Sequence, residues 1–214
     1  MNILYNDERL AVAVKPYGAL SESDDKKPNM PDMLKQESGC REIFTVHRLD
    51  RTTQGLMVYA KTREAAKRLS EQAQNGEMEK VYLAVAEGVP EAPAGGMTDL
   101  LFYDRQRNKS YVVKRERRGV KEARLSYELL KTAVYGGKEI SLLRIRLYTG
   151  RTHQIRVQLA SRKMPVAGDR RYGSSIPCGE IMLCSSELSF IHPFTGEKLS
   201  FGYLPDNELF GVVL

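Results

Sequence analysis

The stretch VHRLDRTTQGLMVYAKT, residues 46–62, joins a charged segment directly to an apolar one. Its second half, rich in Leu, Met, Val and Tyr, predicts a buried strand, because strands covered on both faces read as continuous apolar runs. Just before that strand, His47, Arg48, Asp50 and Arg51 interrupt the pattern. The sequence therefore places a carboxylate between two arginines, directly before the predicted buried strand.

Asp50 has two interpretations at this point. A carboxylate among basic residues is most often a turn or capping residue that pairs with a neighbouring arginine. Alternatively, Arg48, Arg51 or a distant arginine keeps the carboxylate ionised, so that it acts as a nucleophile. Spacing alone favours the structural interpretation, and the choice depends on residues elsewhere in the chain.

The composition is that of an ordinary globular protein. The 214 residues fit one large domain or two small ones, with 42 % hydrophobic and 28 % charged residues. No apolar run approaches the length of a membrane span, and the N-terminus lacks a signal-peptide layout, so we expect a cytoplasmic protein with no membrane partner. Cys40, Cys178 and Cys184 are an odd number without a close pair, which favours thiols in a reducing compartment over disulfides.

The charge of the chain is a weak indication of its partner. A formal net charge of +6 fits a polyanion such as nucleic acid, although many basic proteins simply carry solvated lysines. The distribution says more, because basic residues cluster in KRERRGVK at 114–121 and around GDRRYG at 168–173.

The hydrophobic patterns along the chain predict a single α+β domain, 1–214, with a mixed, mainly antiparallel sheet flanked by helices and loops. The clearest helix is 63–74, where Ala65, Ala66, Leu69 and Ala73 share one face. A second helix is expected at 32–38 and a third at 153–163, for which Thr152 is the candidate cap. Strands are expected at 2–7, 9–16, 43–46, 55–61, 80–88, 98–104, 110–115, 123–130 and 139–148, and two more within 186–204.

Two further groups of polar residues lie at strand ends. YTGRTHQIRVQL, residues 148–159, carries Arg151, His153 and Arg156, for which structural and functional interpretations are equally good. In EKVYLAVAEG, residues 79–88, Lys80 and Tyr82 stand two apart and so face the same side of a strand.

Together these segments resemble the RluA family of RNA pseudouridine synthases. The family's catalytic motif, His-Arg-Leu-Asp followed by two variable residues, Thr-Ser-Gly and an apolar strand, is matched from His47 to Gly55. KPYG at 15–18 is similar to the family's first motif, KVYLAVAEG to its Lys-x-Tyr strand, and GRTHQIRVQL to its third motif. GDRRYG and HPFTGEKLSF match its C-terminal signatures, so the resemblance runs from about residue 3 to 202 in the family's order.

Three departures from the family pattern bear on which uridine is the target. Gln54 stands where the family usually has Ser. ALSESD at 19–24 follows KPYG where a His is common, and LCSSEL at 183–188 replaces the usual Leu-His-Ala. The chain also starts directly at the catalytic domain, so we expect it to lack the N-terminal RNA-binding module of many relatives.

The resemblance implies roles for individual residues. Asp50 would be the nucleophile that breaks the glycosidic bond of uridine, so that the uracil can turn and rejoin through C5. Arg156 would pair with Asp50 and hold it ionised in a desolvated pocket. Tyr82 would stack on the uracil and could take part in proton transfer. Arg48 would enter the space left by the flipped nucleotide.

The expected partner is RNA, either rRNA or tRNA, whose specific uridines the enzyme would isomerise to pseudouridine. Isomerisation consumes no cofactor and needs no metal, so none is expected, and we expect a monomer with no obligate protein partner. For the basic stretch 114–121, an RNA-gripping arm and a solvated hairpin tip are equally good interpretations. The residues expected to contact RNA, besides Arg48, are His47, Arg51, Lys15, Lys80, Arg151, His153, Arg117 and Arg118.

Two other classes of function compete with this one. The first is a non-catalytic RNA-binding module that keeps the fold, and the presence of Asp50, Tyr82 and Arg156 speaks against it. The second is a metal-dependent hydrolase that would use His47, Asp50 and His153. This second class is poorly supported, because the chain has three histidines and no acidic cluster.

Overall fold

The computed structural model describes the backbone of residues 1–214 and every side chain except that of Glu208. Its residues group into two compact units. The first unit contains Met1–Lys80 and Cys184–Pro205, and the second contains Val81–Leu183 and Asp206–Leu214. The expectation of a single domain stays a prediction.

The first unit is built on a mixed sheet in the order β1-β2-β4-β10, with β3 paired to β4 and β11 paired to β10. All of these pairs are antiparallel except β4 with β10, which run parallel. The predicted strand after the charged segment is confirmed as β4, and six of its seven residues are buried. The elements are β1 (Ile3–Asn6), β2 (Leu10–Lys15), α1 (Met30–Ser38), β3 (Phe44–Thr45), β4 (Gln54–Ala60), α2 (Arg63–Asn75), β10 (Leu183–Ile191) and β11 (Lys198–Gly202).

Helix α2 forms where the apolar periodicity predicts it. Thr62 caps its first turn by accepting a hydrogen bond from the amide of Ala65, and Gly76 ends it in the left-handed conformation. Ala65 and Leu69 are buried against β2 and β4 in the core of the first unit. The helix thereby fixes one face of the strand that follows the charged segment.

The second unit carries strands in the order β5-β9-β8-β6-β7, of which β9-β8, β8-β6 and β6-β7 are antiparallel pairs. Helix α3 packs on one face of these strands, where Val157 contacts Leu101 and Ala123. The elements are β5 (Glu79–Glu87), β6 (Ala94–Asp104), β7 (Lys109–Val113), β8 (Val120–Tyr135), β9 (Lys138–Leu147), α3 (Gln154–Ser161), a short 3₁₀ helix (Arg170–Tyr172) and α4 (Glu208–Val213). The sequence patterns did not predict α4 or the 3₁₀ helix.

Two local expectations were wrong. Thr152 does not cap α3. The N-cap is His153, whose backbone is left-handed (φ 56°) and whose side chain makes no capping bond. The side-chain oxygen of Gln154 instead accepts a hydrogen bond from the amide of Arg151, which fixes the entry to the helix.

The segment 114–119 is not a hairpin tip either. β7 and β8 both pair with β6 and lie on opposite sides of it, so this segment crosses the end of β6. Gly119 (φ +87°) makes the turn at that crossing beside the ring of Phe102. The segment is exposed, as both earlier interpretations required.

Two of the departures from the family motifs meet in the first unit. In the parallel pair of β4 and β10, Cys184 is the register partner of Gln54, and Ser185 is that of Gly55. Gly55 is left-handed (φ +116°), and a Cβ there would lie 2.3 Å from the carbonyl oxygen of Ser185. Only glycine therefore permits this close approach of the two strands.

Replacing Gly55 by Ala should destabilise the protein on the order of 3 kcal/mol or more, because backbone strain and overlap with Ser185 add together. The measurement is chemical unfolding. Gly76→Ala is the matched control, since Gly76 is also left-handed (φ +78°) but a Cβ there meets nothing within 4 Å. The control should lose only about 1 kcal/mol, and equal losses in the two variants would contradict the assigned contact.

None of the helices in the described part of the chain is long and apolar enough to cross a membrane. Cys40, Cys178 and Cys184 are free thiols, as the spacing predicted. Burial raises the pKa of the Cys184 thiol to about 12, so it stays protonated near neutral pH.

Candidate active site

The charged segment, which we call the Asp50 loop (residues 46–53), is held by its backbone. Ser21 is the main clamp, because its hydroxyl donates to the carbonyl of Leu49 (2.8 Å) and accepts from the amide of Leu49 (3.0 Å). On the far side of Asp50, the amide of Thr53 donates to the Asp50 carbonyl (2.9 Å) and closes a tight turn. The residue that carries the carboxylate is therefore fixed from both sides.

Lys15 is the second anchor of the loop. Its side chain is fully buried, and its ammonium donates to the carbonyls of Ala19 (2.8 Å), Pro16 (3.0 Å) and Arg51 (3.2 Å). Burial lowers the pKa of Lys15 to about 8, while the nearby negative charge of Asp50 opposes that shift. This interior position does not support the RNA contact predicted for Lys15.

His47 also points inward. Its Nε2 accepts a hydrogen bond from the amide of Val58 in β4 (3.1 Å). The imidazole thereby attaches the start of the Asp50 loop to β4. Burial, with a smaller effect of the positive charge of Lys80, lowers the pKa of His47 to about 3. His47 is thus a neutral structural group, and its position does not support the RNA contact predicted for it.

The other charged residues of the loop face outward to different degrees. Leu49 is buried and Asp50 is half-buried, whereas Arg48 and Arg51 are exposed. Arg48 forms an ion pair with Glu22 (3.2 Å), and both side chains are more than half exposed. Such a solvated pair is worth at most about 1 kcal/mol, so Arg48 can leave it at little cost.

In the second unit, Tyr82 and Arg156 are both buried. Arg156 forms a two-pronged ion pair with Asp169, with Nε to Oδ2 at 2.5 Å and Nη2 to Oδ1 at 3.0 Å. The two side chains are only 4 % and 1 % exposed. The predicted pairing of Arg156 with Asp50 stays a prediction.

A tyrosine covers the guanidinium of Arg156. The ring of Tyr172 lies 5.1 Å from the Arg156 Cζ, which is a cation–π contact. The Tyr172 hydroxyl accepts from the amide of Ser110 (2.8 Å) and lies 2.9 Å from Nδ1 of His153. His153 is therefore a buried partner of Tyr172, and that position does not support the RNA contact predicted for it.

The remaining candidates lie on loops and strand ends. Lys80 is partly buried in β5, and burial lowers its pKa. Nε of Arg151 donates to the carbonyl of Glu122 (2.8 Å). Arg117 and Arg118 are exposed in the segment 114–119, with the Arg117 guanidinium 4.5 Å from the centre of the Phe102 ring.

The hydrolase alternative would need a cluster of metal-binding side chains. Among the side chains that the structure describes, no three His, Cys, Asp or Glu groups lie close enough together to hold a metal ion. The set His47, Asp50 and His153 that a hydrolase would need is not such a group. His47 and His153 are instead engaged with Val58 and Tyr172.

Comparison with known proteins decides the family. The sequence model described as RNA pseudouridylate synthase matches residues 9–161. The chain belongs to this family. The RluA resemblance is confirmed, and so is the prediction that the chain belongs to the isomerases that act on uridine in RNA.

Individual members of the family are similar over most of the chain. It is 36 % identical to an uncharacterized RNA pseudouridine synthase of Aquifex aeolicus, over 94 % of this chain and 68 % of that protein. It is 33 % identical to the dual-specificity RNA pseudouridine synthase RluA of Vibrio vulnificus, over 89 % of this chain and 78 % of that protein. The chain spans about two thirds of the length of several such relatives.

A solved structure shows the same fold. Human RNA pseudouridylate synthase domain containing 1 superposes with a TM-score of 0.80 at 21 % identity, over 96 % of this chain and 83 % of that one. The predicted α+β pseudouridine synthase fold is therefore confirmed.

Two residues that bond to candidate residues or to the backbone beside them were not predicted. Ser21 lies in ALSESD, a segment noted only for lacking a histidine, and its two bonds to Leu49 connect positions 28 residues apart. Asp169 lies in GDRRYG, which was matched as a motif but given no role. The signal that could have indicated Asp169 is Arg156, which was expected to be buried. A guanidinium is rarely buried without an acidic partner.

The neutral state of His47 predicts an acid-sensitive loop. The folded pKa of about 3 lies below the ordinary 6.5, so the unfolded chain takes up the proton first, and stability is lost as pH falls from 6.5 toward 3. Between pH 6 and 5, the wild type should lose up to about 1.4 kcal/mol more than His47→Gln, which keeps an acceptor but cannot titrate. Unfolding at the two pH values measures this difference, and parallel losses would contradict the assignment.

Proposed function

We propose that this chain isomerises specific uridines in rRNA or tRNA to pseudouridine, with Asp50 as the nucleophile. The observation that carries the proposal is the Asp50 loop, whose backbone is fixed by the buried groups of Lys15 and Ser21 while Asp50 itself is only half-buried. A side chain that reacts with a bound nucleotide needs this combination of a rigid backbone and access. Relatives named for tRNA, for the ribosomal large subunit and for dual specificity support both RNA classes.

The reaction breaks the bond between N1 of the uracil and C1′ of the ribose. After the uracil turns, C5 bonds to C1′, C5 loses its proton, and N1 ends with one, so no atom is gained or lost. Asp50 would supply the anion that starts the cleavage, either by attack at the ribose or through a glycal. The Lys15 ammonium attracts the Asp50 carboxylate from within the fold.

Arg156 and Tyr82 would complete the chemistry. Arg156 is fixed by Asp169 and would hold Asp50 ionised, because a lone charge in a desolvated pocket is costly. Tyr82 would present its ring to the uracil and use its hydroxyl in the proton transfer from C5.

Arg48 would assist base flipping. It is exposed, and its ion pair with Glu22 is solvated, so the guanidinium can move into the stack when the target nucleotide leaves it. Arg51, Arg151, Arg117, Arg118 and Lys80 would contact the RNA. A cytoplasmic location and a monomeric state stay expectations.

Asp50→Asn should lower the rate of pseudouridine formation at least roughly 10⁴-fold. RNA affinity should stay within a few-fold of the wild type, because the side chain acts on the glycosidic bond and contributes little to RNA binding. The measurement is single-turnover tritium release from [5-³H]uridine-labelled rRNA and tRNA, with a parallel binding assay. Asp25→Asn, an exposed carboxamide substitution in the first unit, is the matched control and should keep full activity.

If Asp50→Asn converts uridine at close to the wild-type rate, Asp50 is not the nucleophile. Wild-type protein that binds RNA tightly but converts no uridine would favour the alternative of a non-catalytic RNA-binding module.

RNA binding should weaken steeply with salt, because phosphate contacts release counterions. Replacing Arg117 and Arg118 by Ala should lower affinity and flatten the slope of log affinity against log salt by up to roughly one unit per lost phosphate contact. The matched control is Lys26→Ala with Lys27→Ala, an equal loss of exposed charge in the first unit. If both pairs of substitutions change the slope equally, segment 114–119 is a solvent-exposed connection between strands that makes no specific contact with RNA.

A further inference from the structure

The guanidinium of Arg156 is held by two hydrogen bonds to a single carboxylate. Of its three nitrogens, Nε donates to Oδ2 of Asp169 and Nη2 donates to Oδ1 of the same carboxylate. Two parallel bonds fix the plane of a guanidinium as well as its position, which a single bond or a lysine cannot do. The nitrogen outside this pair, Nη1, therefore has a set direction.

The backbone of Asp169 is itself fixed. Its amide donates to the carbonyl of Val166, and its carbonyl accepts from the amides of Tyr172 and Ser174, each at 3.0 Å. Directly before it, Gly168 is left-handed (φ +81°), and a Cβ there would lie 2.1 Å from the carbonyl oxygen of Glu180. Asp169 thus projects from a turn with little freedom to move.

A second carboxylate fastens the far end of the same turn. Glu87 in β5 accepts from the amides of Ser175 (2.7 Å) and Ile176 (3.1 Å) and from the hydroxyl of Ser174. These hydrogen bonds lower the pKa of Glu87 despite its partial burial, so it accepts them as a carboxylate. The turn that presents Asp169 is therefore tied to a strand of the sheet.

Tyr172 covers the guanidinium as a further support, from the same turn as Asp169. Its ring lies 5.1 Å from the Arg156 Cζ, and its hydroxyl is fixed by Ser110 and His153. Arg156 is therefore held in its plane by Asp169 and covered by Tyr172.

We infer that Asp169 is a positioning residue for the isomerisation, which sets the orientation of Arg156 toward the reacting groups. Arginine has several rotatable bonds, and fixing them before substrate arrives removes that entropy from the chemical step. Asp169 also balances the Arg156 charge, which makes the burial of that charge possible. The inference rests on the proposed role of Arg156 in pseudouridine formation.

The test compares Asp169→Asn with the wild type in the single-turnover and binding assays described above. We expect the rate of the bound complex to fall roughly 10²-fold, with RNA affinity changed by less than about threefold, because orientation affects the step and not the grip. The matched control is Asp99→Asn, which breaks the pair with the residue that ends α3, Arg162 Nη1 to Asp99 Oδ2 at 2.9 Å, and should keep the rate. Equal rate losses in both variants, or no loss in Asp169→Asn, would overturn the inference.

A second measurement does not depend on activity. In ¹⁵N-labelled protein, the Nε–H of Arg156, assigned by its disappearance in Arg156→Lys, should exchange slowly with water in the wild type and at least about tenfold faster in Asp169→Asn. Where Asp169→Asn does not fold, Asp169→Glu keeps the charge but displaces the carboxylate, and it should also lose rate.

A rapidly exchanging Nε–H in the wild type, or a folded Asp169→Glu with the full rate, would refute the positioning role. A protected Nε–H in a wild type that converts no uridine would instead refute the proposed function and leave the ion pair standing.

Discussion

A lysine side chain with no exposure to solvent has to satisfy its charge inside the protein, and Lys15 does so with three backbone carbonyls. Two of these belong to the turn that follows β2, and the third belongs to Arg51 in the Asp50 loop. The amide of Gly18 adds a bond to the same Arg51 carbonyl (2.9 Å). The ammonium therefore ties together two segments more than thirty residues apart, and the Asp50 turn takes its shape from that connection.

The three departures from the family motifs acquire a common meaning in this setting. Ser21 lies in the segment 19–24, where a His is common, and it bonds to Leu49, immediately before Asp50. Gln54 follows the loop and is paired in register with Cys184 of the third departure. The departures therefore lie against the middle of the Asp50 loop and directly after it, in the first unit. The residues His47 to Asp50 themselves keep the family's motif.

Local patterns predicted most elements because their signals are local. The strand after the charged segment and helix α2 follow from periodicity, capping and a C-terminal glycine. The errors come from partners distant in sequence. The start of α3 is set by Gln154 rather than by Thr152, and the path of segment 114–119 depends on β6 pairing on both sides. For the same reason motif matching named Arg156, whereas Asp169 became visible only once the turn that carries it was in place.

The first unit is assembled from two pieces of chain, Met1–Lys80 and Cys184–Pro205. Its parallel pair joins Gly55 to Ser185, so more than a hundred residues are synthesised between the two partners. At about 5–20 residues per second on the ribosome, that interval lasts roughly 7–26 seconds. During this time only Gln54 and Gly55, at the start of β4, lack their partners in β10, because β3 already pairs with Tyr59 and Ala60 at its other end. The position of the Asp50 loop relative to β10 is therefore set last, after most of the chain has been synthesised.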